Sequence, residues 1–244
     1  MRSTGNTIFM TGGTSGIGLE LARRLRDLGN TVIVSGRRQD LLDRIAREDG
    51  IEGIPLDVAD PRSIAAAYRT VTTEHPELNV LITMAGIMRA ENLGEPDLAT
   101  IEQTIDINLL GTIRTITAFT PHLLKQSGVI MTVSSGLAFV PLAMTPTYNA
   151  TKAAVHSYTQ SLRHQLAGKV QVIELVPPAV QTGLFGDTPD PHWMPLDDFA
   201  DESVKLLQDN PDADEILVDR VHFLRKAEQE NRFDQVFGVL NSVG

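Results

Sequence analysis

Cysteine is absent from the 244-residue sequence. That one absence removes disulfides, thiolate metal sites and cysteine nucleophiles together, so any chemistry must use oxygen or nitrogen groups. Long apolar runs are missing too. Nothing approaches the ~20 apolar residues of a membrane span, and the opening MRSTGNTIFMTGG is too weakly apolar for a signal peptide, so the sequence predicts a cytoplasmic protein. Positive charge is in deficit, with 21 Lys and Arg against 31 Asp and Glu, a net charge of −10 and no long basic run. Nucleic acid and anionic membrane surfaces are therefore not expected as partners, and a small molecule is. None of the six histidines falls in His-Glu-x-x-His. His156 and His164 stand eight apart with no acidic partner at ligand spacing, so no metal is expected. Gly-x-Ser-x-Gly is absent, which argues against a serine hydrolase.

What is present is globular in composition: 42% hydrophobic and 21% charged. Seven short apolar, β-rich runs recur at Thr7–Thr11, Thr31–Ser35, Gly53–Asp57, Asn79–Met84, Val129–Ser134, Lys169–Val176 and Glu215–Val218. Most are continuous rather than alternating, as strands buried on both faces of a parallel sheet are. Helical patterns separate them at Gly16–Leu28, Gln39–Glu48, Pro61–Glu74, Leu98–Lys125, Thr147–Ala167 and Leu196–Gln208. Asp60–Pro61 pairs a good N-cap with a favoured first helical residue. The alternation predicts one α/β domain over 1–244, a Rossmann-type doubly wound parallel sheet of about seven strands with helices on both faces. Ligands bind such sheets at the strands' carboxyl ends. Two segments stand apart. A Pro/Gly/Asp-rich stretch carrying Leu184, Phe185, Trp193 and Met194 reads as a substrate lid over about 183–198, with a plain surface loop as the alternative. Residues from about 219 to 244 read as a helical tail.

After the first strand the chain runs Thr11-Gly12-Gly13-Thr14-Ser15-Gly16-Ile17-Gly18 straight into a helix. A glycine turn at a helix N-terminus offers close backbone approach, unpaired N–H donors and a favourable dipole, which together hold a pyrophosphate. The second strand ends in Gly36-Arg37-Arg38. The acidic residue that binds the ribose 2′-hydroxyl of NAD is missing there; Gly36 leaves room, and Arg37 and Arg38 can pair with a 2′-phosphate. NADP(H) is favoured over NAD(H). Asp57-Val58 closes the third strand, where the aspartate can accept from an adenine amino group or merely close a turn. Ala85 and Gly86 after the fourth strand are small enough for a cofactor to pass.

Chemistry gathers at Tyr148-Asn149-Ala150-Thr151-Lys152. Four residues apart on a helix, phenol and ammonium share a face, and the cation with an oxidised nicotinamide draws the phenol toward a working acid or base. Ser135 projects from a strand's carboxyl end, where its hydroxyl can bond a carbonyl oxygen. Asn108, in a long apolar helix, either holds a water between its backbone and Lys152 or is simply a satisfied packing residue.

The glycine turn, Asn108, Ser135, Tyr148 and Lys152, in that order and with Ser135 thirteen residues before Tyr148, resemble the short-chain dehydrogenase/reductase family from Thr7 to about Thr182. The resemblance implies a catalytic tetrad of these four residues. It also implies Lys152 on the nicotinamide ribose and Val180 and Thr182 near the carboxamide. In wording such as Ser135–Phe139 and Leu162–Leu166 the chain is similar to a bacterial branch labelled teichoic-acid D-alanylation oxidoreductases. It departs from the family pattern at Thr83-Met84, where an asparagine usually braces the sheet, at Pro177-Pro178, and around the last strand.

The implied activity is an NADP(H)-dependent carbonyl reductase. Hydride moves between nicotinamide and a carbonyl or alcohol, Tyr148 exchanges the proton, and Leu137, Phe139, Val140, Leu142, Phe185, Trp193 and Met194 form an apolar substrate face, with a plain core role fitting several of them equally well. The other readings are an NADP(H)-binding regulator or scaffold without turnover and a nucleotide-sugar epimerase or dehydratase. A homodimer or homotetramer is the expected assembly.

Overall fold

The computed structural model describes residues 1–186 and 190–242. Its elements alternate as the apolar runs predict: β1 (Thr7–Thr11), α1 (Gly16–Asp27), β2 (Thr31–Gly36), α2 (Gln39–Asp49), β3 (Glu52–Pro55), α3 (Pro61–Glu74) and β4 (Val80–Thr83). Then come α4 (Leu98–Ile105), α5 (Thr112–Gln126), β5 (Val129–Val133), α6 (Pro146–Gln165), β6 (Gln171–Leu175), α7 (Leu196–Asp209) and β7 (Glu215–Ile216). Two short helices, α8 (His222–Arg225) and α9 (Phe233–Asn241), follow.

The strands form one parallel sheet in the order β3-β2-β1-β4-β5-β6-β7. Burial on both faces comes from the period-2 pleat. Ile8, Met10, Val80, Ile82, Val129 and Met131 face α1, α2 and α7 through Leu25, Ile45 and Phe199. The residues between them, Phe9, Leu81 and Ile130, face α3, α5 and α6 through Val71, Phe119 and Leu162. β1, β2, β4, β5 and β6 therefore feed both cores, which is why they read as continuous apolar runs, whereas the edge strands β3 and β7 bury Ile54 and Ile216 in one core each. The chain reverses direction across the sheet between β1 and β4, and a crevice opens beyond their carboxyl ends.

Four elements differ from the sequence reading; the last strand, expected to reach Val218, stops at Ile216. The predicted helix Leu98–Lys125 is interrupted by a π-turn over Asp106–Gly111. There Gly111 lies so close to Val58 that a Cβ would come within 2.8 Å of its Cγ2, and Asn108 turns toward the β4 loop. The tail is not one helix: α8 ends at Arg225, Asn231 adopts φ 55°, and the chain restarts as α9. The third strand stops at Pro55, so Asp57 and Val58 lie beyond it. At the capping signal, Asp60 accepts from the Arg62 N–H at 2.8 Å. Residues 187–189 of the expected lid and 243–244 of the tail lie outside the described residues.

Candidate active site

The glycine turn after β1 and the segment after β4 line a cleft of about 630 Å³. Gly12 sits at φ 70°, and a Cβ there would lie 2.6 Å from the Ala85 Cα. A Cβ on Gly18 would lie 2.4 Å from the Gly12 carbonyl oxygen, which fixes how α1 enters against the turn. Ser15 caps α1 without a side-chain bond, so the N–H groups of its first turn, which have no intrahelical acceptors, are left for a ligand. Gly12, Thr14, Ser15, Gly16, Ile17 and Gly18 all line the cleft, as do Arg37, Arg38, Asp57, Val58, Ala85 and Gly86. Both arginines are exposed. The room at Gly36 is taken by Thr14, whose Cγ2 would be 2.6 Å from a Cβ at that position. Asp57 does close a turn: it accepts from the Ala59 N–H at 3.0 Å while still lining the cleft.

Thr182 reaches the cleft, with its methyl 3.4 Å from where a Gly16 Cβ would stand. Val180 does not line it. Its side chain is buried in the core, and its backbone pairs with Met194. Met194 is core as well, and Val140 is sealed in a cluster with Leu224, Ala227 and Val236 of the tail. Phe139 lies between His156, at 4.7 Å, and the Arg225 guanidinium, at 4.5 Å. Much of the expected substrate face is thus internal packing.

Ser135, Tyr148 and Lys152 are buried together at the carboxyl end of β5. The Ser135 Oγ accepts from the Leu137 N–H at 3.2 Å, which leaves its proton to donate. Burial pushes the Tyr148 phenol up to about 12, against the pull of the Ser135 hydroxyl. Lys152 Nζ donates to the Val133 carbonyl at 2.9 Å and lies 5.6 Å from the centre of the Tyr148 ring. Burial lowers Lys152 to about 8, and the Glu174 carboxylate opposes that fall. Asn108 binds Ile87 in both directions at 2.8 Å and donates to Thr151 at 3.3 Å. Its side chain therefore ties the β4 segment to α6, and its Oδ1 and Lys152 Nζ flank Gly86.

Sequence reasoning missed three supports. Thr11 Oγ1 accepts from the Met84 and Ala85 N–H groups at 3.2 Å each, bracing β1 to the segment after β4 in a sequence that lacks the usual asparagine. Glu91 accepts from the N–H and hydroxyl of Thr147, at 3.0 and 2.7 Å, immediately before Tyr148. His156 does have acidic neighbours, which corrects the expectation that it stands alone: its Nδ1 meets Glu174, and Glu215 is also within reach. Contacts this distant in sequence leave no local signal.

Residues 6–192 match the short chain dehydrogenase family. The chain is 40% identical to an uncharacterized oxidoreductase of Bacillus subtilis, DltE, with 99% of each chain covered. Its fold is similar to that of a short chain dehydrogenase from Burkholderia cenocepacia in complex with NADP (TM-score 0.82, 24% identity, 98% of both chains). It is also similar to serine dehydrogenase from Escherichia coli (TM-score 0.67, 29% identity, 71% of this chain and 82% of that one).

Proposed function

The chain belongs to the short-chain dehydrogenase family of oxidoreductases, and from that premise we propose that it is an NADP(H)-dependent reductase of a carbonyl substrate. The observation that carries this reading is the burial of Ser135, Tyr148 and Lys152 beside a glycine-lined cleft that ends at two exposed arginines. The cleft fits a dinucleotide in room and in chemistry: it encloses about 630 Å³ and is lined by the N-terminal turn of α1, whose first N–H groups have no side-chain cap. In this reading the α1 N-terminus holds the pyrophosphate, Arg37 and Arg38 the 2′-phosphate, Asp57 and Val58 the adenine, and Ala85, Gly86 and Thr182 the nicotinamide half, while Val180, buried in the core, only supports Thr182 through the backbone. A bound NADPH supplies the hydride.

The protein's own groups then manage the substrate oxygen. Ser135 donates a hydrogen bond to it, and Tyr148, kept protonated by its burial, gives it the proton. A phenol held on its acid side suits carbonyl reduction better than alcohol oxidation at neutral pH. Lys152 orients the nicotinamide ribose and stabilises the phenolate left after transfer, and Asn108 keeps the Gly86 side of the site in place. Within about 183–198, Leu184 lines the cleft mouth, and the segment is anchored by the Val180–Met194 bridge and by Gln181 bonds to Pro191 and Trp193. We read it as the substrate cover. No helix among the described residues is long and apolar enough to cross a membrane. Exposed Leu98, Ile105, Leu110 and Leu124 on and between α4 and α5 give a second copy of the chain a surface to cover.

The test is titration of the protein with NADPH and NADH by fluorescence and thermal shift, followed by a panel of ketones and aldehydes. Tighter NADPH binding with turnover of a carbonyl is the expected result. Tight binding without turnover on a broad panel would favour the regulator, and binding of neither would refute the reading.

A further inference from the structure

Among the described residues, two side chains that carry formal charge are buried: Lys152, 6% exposed, and Glu174, fully enclosed. A charge inside a protein needs a counter-charge or strong hydrogen bonds, and here the two buried charges have opposite sign. Lys152 is on α6 and Glu174 on β6, the strand against which α6 packs. Tyr148, Lys152, His156 and Gln160 follow at four-residue intervals along one stripe of α6, and Glu174 meets that stripe at His156. Both Glu174 oxygens lie 2.9 Å from His156 Nδ1.

The protonation of that histidine follows from its other nitrogen. Gln160 Nε2, which can only donate, lies 3.1 Å from His156 Nε2, so Nε2 accepts and the ring proton sits on Nδ1, donated to Glu174. In that arrangement His156 orients the carboxylate. The next cation behind it, Arg225, is held by Glu215 through two bonds of 2.9 and 3.0 Å and is stacked on Phe139. Beside Lys152 stand the Val133 carbonyl, the Tyr148 phenol and the Asn108 amide, none of them an anion at neutral pH.

We propose that Glu174, oriented by His156, is a positioning residue for Lys152: its buried negative charge keeps the Lys152 ammonium protonated beside Tyr148. Desolvation alone drives a buried lysine toward the neutral amine, and an amine can neither stabilise a phenolate nor donate as a cation to a ribose hydroxyl. The catalytic consequence rests on the reductase reading above, but the electrostatic coupling does not.

The chain has five lysines, so the side-chain carbons of 13C-lysine-labelled protein can be followed by NMR across pH, with Lys152→Arg assigning the signal. Glu174→Gln retains an acceptor for His156 and removes the charge, and it should move the Lys152 titration down by about one pH unit or more. Glu174→Asp should restore it toward the parent value, whereas a purely structural role would leave the titration where it was in both variants. An unmoved Lys152 in Glu174→Gln overturns the proposal, as does an Asp variant that shifts as far as Gln. Should the Gln variant not fold, the parent protein supplies the test: in 13C-glutamate-labelled protein, the Glu174 carboxyl carbon must step at the pH where Lys152 deprotonates. A flat signal there overturns the proposal. All of these readings are made without cofactor or substrate, so a protein that turned over no carbonyl would still show the coupling.

Discussion

Replacing Gly12 with alanine should be far more damaging than the same change at Gly36, and the structure says how large the effect is. At φ 70° an alanine pays about 1–2 kcal/mol for the left-handed conformation alone. Its Cβ would also stand 2.6 Å from the Ala85 Cα and 2.7 Å from the Ala85 nitrogen, where ordinary contact begins at 3.4 Å. The obstacle is backbone and cannot rotate away, so the segment after β4 must withdraw. Withdrawal strains the two bonds from Met84 and Ala85 to Thr11 Oγ1, each worth about 1 kcal/mol. The sum is about 3–4 kcal/mol, and for a chain of this size that lowers the melting temperature by roughly 6–16 °C. Gly36→Ala is the control. Its Cβ would meet only the Thr14 side chain, which can turn to a poorer rotamer for about 0.5–1.5 kcal/mol, or roughly 1–6 °C. Thermal melts followed by circular dichroism decide the matter. A Gly12→Ala protein that melts within about 2 °C of its parent, or one no worse than Gly36→Ala, would refute the steric account of the turn.

Arg37→Ala should weaken NADPH by about tenfold or more while leaving NADH nearly unchanged, in line with the loss of a charge-assisted bond at an exposed site; equal weakening of both would remove the 2′-phosphate assignment. Lys152 makes stability depend on pH. Its value is about 8 in the fold and ordinarily 10.5, so between those limits the unfolded chain binds the extra proton and stability rises with pH. Urea unfolding of the parent and Lys152→Met between pH 8 and 10 should show the parent gaining on the variant by ~1 kcal/mol per pH unit, and parallel curves would contradict the shift. Arg225→Ala breaks the two-bond pair with Glu215 and the stack on Phe139 and should cost about 1–3 kcal/mol in chemical unfolding. Arg225→Lys should recover little of it, because an ammonium cannot reproduce the planar fork.

The fold was legible because its signals are local. Short apolar runs, most of them continuous, marked the strands, and Asp60-Pro61 marked the start of α3 to the residue. The family's spacing of Ser135, Tyr148 and Lys152 pointed to three side chains that the fold does bring together. Where the reading failed, the cause was a contact made across the fold. The apolar stretch Leu98–Lys125 carries helical periodicity throughout, yet the close approach of Gly111 to Val58 and the reach of Asn108 to Ile87 bend it through a π-turn. The tail leaves the helix at Lys226 and re-enters it at Phe233 through a turn in which Asn231, a residue tolerant of positive φ, takes φ 55°. Apolar residues assigned to substrate, such as Val140 and Met194, were claimed by tail and core, and periodicity cannot tell a pocket wall from a packed interior. Glu174 was invisible for a different reason. One charged residue within a strand gives no sign of what it faces, and its partner is 18 positions earlier on another element.

The central claim is that Tyr148 is the proton donor of a hydride-transfer site, and Tyr148→Phe tests it most directly. The variant removes one oxygen from a buried ring and leaves the glycine turn, Arg37 and Arg38 untouched. With NADPH titration and carbonyl turnover measured on the same preparation, the account predicts cofactor affinity within about threefold of the parent and turnover reduced by about 10²–10⁴-fold. Turnover that survives the substitution, or cofactor binding that disappears along with it, would contradict the assignment.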